Sequence, residues 1–157
     1  MKKPLHILTA VVVLLVGVYF LSQWRPGMEN MTTSDIARSC VTHEAVSYHV
    51  HPELTIIVNN ERVLIPANVG ISSSCMQALH THTADGVIHI EAPVKQDFTV
   101  GDFFANWQQP FSATQILGNA VDDSTKITMT VNGKEVDTFE NTVMNDKDII
   151  VITYGPR

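Results

Sequence analysis

The sequence predicts a single small α+β domain, rich in β-structure, behind an N-terminal transmembrane helix. Three observations lead there. Leu5 to Leu21 is apolar apart from His6 and Thr9; later come short β-rich runs broken by Asn-Asn, Asp-Gly and Asn-Gly pairs; and Thr99 and Asp102 form a helix-start signature ahead of an apolar stripe. A chain of 157 residues suits one domain of ordinary size, and 45% hydrophobic residues exclude disorder for most of it.

The elements follow in order. Residues 1–4, with Lys2 and Lys3, read as a cytoplasmic N-terminus under the positive-inside rule. Residues 5–24 read as the anchor. The 17 residues Leu5 to Leu21 span roughly 26 Å as a helix, close to the ~30 Å hydrocarbon thickness, with Tyr19 and Trp24 suited to the far interface. No pair of small residues follows the apolar run, so an uncleaved signal-anchor is expected rather than a signal peptide. The protein would then be a single-pass protein of the cell membrane, its C-terminal domain periplasmic or extracellular. Residues 25–39 are polar and read as a tether, and the folded domain is expected over 40–157.

Within that domain, Glu53 to Ile65 reads as a hairpin about Asn59-Asn60, and Leu79 to Ala92 as a hairpin about Asp85-Gly86. Thr99 and Asp102 cap a short helix that presents Phe103, Phe104 and Trp107 to the core. Lys126 to Thr138 is a further hairpin about Asn132-Gly133, and Asp148 to Tyr154 has the continuous apolar run of a buried central strand. The sum is about six or seven strands and one or two short helices, compatible with a β-grasp-like sheet or a small barrel. From Gln23 onward 8 basic residues face 16 acidic ones, a net −8, which speaks against nucleic acid as a partner.

The histidines carry the chemistry. Six lie beyond the anchor: His43, His49, His51, His80, His82 and His89. Side chains alternate along a strand, so His49 and His51 share a face, as do His80 and His82. A two-residue turn at Asp85-Gly86 sets His82 opposite His89 and His80 opposite Glu91. A register shifted by two sets His80 opposite His89 on the same face, and a three-residue turn sends His89 to the other side. The Asp-Gly preference favours the first. Three imidazoles and a carboxylate suit Zn²⁺ or Cu²⁺, with His49 or His51 as a further ligand from a neighbouring strand. A pH-responsive cluster, or ordinary half-exposed histidines, are the competing readings.

The motifs Y-H-x-H, P-A-N-x-G-I, C-x(3)-L-H-T-H-x(3)-G-x-I-H-x-E and F-T-x-G-x-F-F-x-x-W, from Tyr48 to about Gly118, cover nearly half the chain. In them the chain resembles a family of uncharacterised small membrane-anchored extracytoplasmic proteins of bacteria and archaea. The resemblance implies that these residues form one unit and implies no activity.

Cys40 and Cys75 are the only cysteines, and in an oxidising compartment a disulfide is expected. The alternative makes Cys75 a thiolate ligand beside His80 and His82. No H-E-x-x-H, G-x-S-x-G, phosphate-binding loop or dinucleotide fingerprint occurs, so no catalytic residue is assigned. The leading expectation is a membrane-tethered copper- or zinc-binding protein for metal capture, buffering or delivery to a membrane protein. A small zinc metalloenzyme and an accessory module of an envelope complex are the alternatives.

Overall fold

The computed structural model describes residues 31–157; the expected N-terminus, the anchor and tether residues 25–30 lie outside the described residues. Thr32 opens the first helix, α1 (Thr33–Arg38), through a reciprocal capping box with Asp35. Ahead of the expected boundary near residue 40, α1 already buries Ile36 and Ala37, and the compact unit runs from Thr32 to Arg157. The chain continues through β1 (Tyr48–Val50), β2 (Glu53–Val58), β3 (Glu61–Val63), β4 (Leu79–His80) and β5 (His89–Ala92). The second helix, α2 (Val100–Trp107), starts at the Thr99–Asp102 capping box the sequence predicts. There follow β6 (Phe111–Ser112), β7 (Gln115–Ile116), β8 (Asn119–Ala120), β9 (Thr125–Val131), β10 (Lys134–Val136) and β11 (Ile149–Pro156). Among the described residues, seven strands have three residues or more, and the other four are two-residue pieces. No helix among the described residues is long and apolar enough to cross a membrane.

Three sheets result among the described residues, ordered β10-β9-β11-β2-β3, β1-β5-β4 and β6-β7-β8. Two predicted hairpins form the wings of the first. Asn59 and Asn60 take φ of 51° and 69°, and Asn132 and Gly133 take 53° and 77°, the double positive φ of a tight hairpin turn. Val58 accordingly faces Glu61, and Val131 faces Lys134. Strand β11 enters between the wings, parallel to β2 and antiparallel to β9. It is central, but only one of its faces is buried: Ile150 and Ile152 are inaccessible, whereas Ile149 is 55% exposed. Among the described residues no small barrel forms, because β3 and β10 end the sheet as open edges instead of pairing with each other.

Leu54, Ile56, Met129, Ile150 and Ile152 build the core face of the large sheet, with Phe98, Phe103 and Phe104 also in the core. Trp107 is only half-buried. Helix α2 ties the small elements together. Asn106 Nδ2 donates to the carbonyls of Ala37 (3.0 Å) and Leu79 (2.8 Å), and Ser34 Oγ donates to Asp102 Oδ1 at 2.5 Å. The Leu79 bond fixes the backbone one residue before His80.

Candidate metal centre

The three-stranded sheet β1-β5-β4 sets out the histidines. Its registers pair His49 with Glu91, Val50 with Ile90, Leu79 with Ile90 and His80 with His89. Side chains alternate across each strand, so Val50, Ile90 and Leu79 turn to the core, where all three are buried. His49, Glu91, His89 and His80 are thereby placed together on the opposite face. His51 and His82 follow two residues after His49 and His80, and their rings join the same group: His51 and His82 both stand 4.6 Å from the His89 ring, centroid to centroid.

The register differs from the one the Asp-Gly pair favours. His80, not His82, opposes His89, because Asp85-Gly86 makes no tight turn between β4 and β5. The segment 81–88 is bound to β2 instead: Leu54 N–H donates to Gly86 O at 2.9 Å, Ile88 N–H donates to Pro52 O at 2.9 Å, and Val87 bridges to Glu53. Tertiary hydrogen bonds outweigh a local dipeptide preference here. The shift is by two residues, so the shared face survives.

The geometry selects a ring tautomer. His80 Nδ1 lies 2.8 Å from the Gln77 carbonyl oxygen. A carbonyl can only accept, so Nδ1 carries the hydrogen and Nε2 of the neutral ring keeps its lone pair. That Nε2 lies 3.2 Å from His82 Nε2 and 4.0 Å from Glu91 Oε1. Two donors bound at about 2.05 Å to one tetrahedral ion stand about 3.3 Å apart, so the pair has nearly the spacing a metal needs. His89 Nδ1 is buried without a hydrogen-bond partner, 3.8 Å from Glu91 Oε1. A metal would satisfy that nitrogen.

The candidate donors fall into two groups, each with ligand atoms within 4.8 Å of one another: His80, His82, His89 and Glu91, and His49, His51 and His89. All six predicted ligands are therefore brought together, and the His/Glu group could hold a metal ion. Cys75 is not among them. Its sulfur is bonded to Cys40 in the expected disulfide, which leaves no free cysteine among the described residues. Gln77 and Asn106 were not foreseen as supports. Gln77 acts through its backbone, which leaves no mark in a sequence; Asn106 is a polar residue three positions after Phe103 on the buried side of α2, and that placement was readable.

Burial, reinforced by repulsion from His51, His82 and His80, pushes His89 down to about 4 against the pull of Glu91. Burial also lowers His80, opposed by the Gln77 carbonyl and Glu91. Between about 6.5 and about 4 the unfolded chain therefore binds a proton that folded His89 refuses, so this residue makes stability fall as pH falls through that window. Thermal melts of the metal-free chain from pH 7 to pH 4 should show a smaller loss of Tm for His89→Gln than for the parent. Parallel curves would show that His89 is not the group excluding the proton. Above pH 7 both rings are neutral and ready to ligate.

Comparison with protein-family models, with curated proteins and with solved structures finds no match for this chain.

Proposed function

We propose that the protein binds one Cu²⁺ or Zn²⁺ ion through His80, His82, His89 and Glu91, and that it captures, buffers or delivers that ion from a membrane-tethered, extracytoplasmic position. The observation that carries the reading is the His80–His82 pair, two Nε2 atoms 3.2 Å apart with one ring held in the ligating tautomer by Gln77. Three imidazoles and one carboxylate form a borderline donor set that suits both ions. The disulfide agrees with an oxidising compartment, and the Leu5–Leu21 stretch would hold the domain near a membrane protein recipient, raising its effective concentration there. The order β3-β2-β11-β9-β10, with its central parallel pair, we read as a β-grasp-like sheet.

The test is element analysis of the full-length chain without a histidine tag, cysteines oxidised, after exposure to each ion and removal of the excess. The parent should retain about one equivalent, and a variant carrying His80→Ala, His82→Ala and His89→Ala should retain none. His80 is fully buried, so His82→Ala alone, at an exposed position, separates lost ligation from lost folding. A folded parent that binds neither ion would overturn the reading.

A further inference from the structure

The six donors do not make a single site. They form two sets that meet at His89, and only one of the sets contains buried donors. In the inner set His80 is 0% and Glu91 5% exposed, with His82 at the surface, whereas the outer set has no buried member: His49 is 49% exposed, His51 is half-buried, and the shared His89 is 22% exposed. The rings form a continuous series from solvent inward. His49 and His51 are 4.5 Å apart, His51 and His89 4.6 Å, and His89 and His80 5.4 Å, centroid to centroid. Glu91 also touches both sets, its Oε1 lying 3.2 Å from His49 Nε2 and 4.0 Å from His80 Nε2.

The outer triad is anchored. His49 sits in register opposite Glu91. The backbone of His51 is held on both sides by the loop after residue 144: its N–H donates to Asp146 Oδ1 at 3.1 Å, and its carbonyl accepts from Lys147 N–H at 3.3 Å.

We infer that the metal has two alternating positions, an outer one on His49, His51 and His89 and an inner one on His80, His82, His89 and Glu91, and that the ion enters and leaves through the outer position. This deepens the metal-binding reading above and rests on it. The shared ring is what makes the positions alternate. Simultaneous occupation would require His89 to lose its last ring proton and bridge two dications, with Glu91 the only carboxylate in either set. The chemistry of the two sets also fits different tasks. The outer set offers three imidazoles, one exposed and two half-buried, and leaves a coordination position for a ligand from a donor or recipient molecule, so exchange there proceeds by ligand substitution. The inner set supplies four donors, two of them almost out of contact with water, and retains the ion.

A residue on the path, but not in the final site, changes the rates of binding and release by the same factor and leaves their ratio alone. The experiment follows Zn²⁺ transfer between the full-length, disulfide-intact chain and a chromophoric chelator by stopped-flow, in both directions, with Kd and stoichiometry measured in parallel. The parent should bind one equivalent. His51→Ala, and His49→Ala with His51→Ala, should slow association and release together by tenfold or more while Kd changes less than threefold. His82→Ala should weaken Kd at least tenfold with association still fast. Two equivalents in the parent, a Kd lost equally in the outer and inner variants, or rates unchanged in the outer variants would each overturn the alternating path while leaving metal binding intact. A folded parent that takes up no zinc would overturn both together.

Discussion

Gly86→Ala is expected to destabilise the domain by about 3–5 kcal/mol and to weaken metal binding with it. Gly86 has φ of +96°, a conformation that an L side chain adopts only under strain. A Cβ there would also stand 2.4 Å from the carbonyl oxygen of the buried Leu54, in β2 of the main sheet. Relieving that overlap would break the Leu54 N–H bond to Gly86 O and push segment 81–88 off β2. The same segment carries His82 and leads into His89. Gly133→Ala is the matched control: its φ is +77°, but nothing lies within 4 Å of the added carbon, so it should cost only about 1–2 kcal/mol. Urea denaturation gives both values. Equal losses in the two variants would mean that backbone strain, not the contact with Leu54, makes Gly86 necessary.

Replacing both cysteines, Cys40→Ala with Cys75→Ala, is expected to cost roughly 3–4 kcal/mol, the loop-closure contribution of a crosslink across 35 residues. For a domain of this size that is a fall in Tm of roughly 10–20 °C. The bond fastens the stretch after α1 to the stretch just before His80, where Val41 N–H donates to Met76 O at 2.8 Å and Ala78 N–H to Ser39 O at 3.0 Å. Reduced parent and double variant should melt alike. A loss below about 1 kcal/mol would show that these backbone bonds hold the segment in the unlinked chain as well.

Local chemistry was the part of the fold legible in the sequence. Asn59-Asn60 and Asn132-Gly133 announce their turns because both central residues must take positive φ, and Thr99 with Asp102 announces a helix because a capping box uses only neighbouring atoms. The ligands were legible for a similar reason, since a strand of period two puts each H-x-H pair on one face. What escaped was whatever long-range contacts decide. The turn at Asp85-Gly86 gave way to hydrogen bonds from Leu54 to Gly86 and from Ile88 to Pro52, at and beside the start of β2. The continuous apolar run of β11 did not reveal that Ile149 would stay exposed. Nor did any motif show that six donors would divide into two sets around His89, because that division depends on how β1, β5 and β4 align.

The open ends of the five-stranded sheet bear on how copies of this protein behave when crowded. An unpaired edge offers a row of amide and carbonyl groups to any passing strand. Here each edge strand is only three residues long and opens with two exposed charges, Glu61 and Arg62 on β3, Lys134 and Glu135 on β10. A strand arriving from a neighbouring molecule would gain few hydrogen bonds and would have to dehydrate those charges to form them. The sheet thus carries its own protection against edge-to-edge aggregation, a hazard that grows when molecules are confined to a surface.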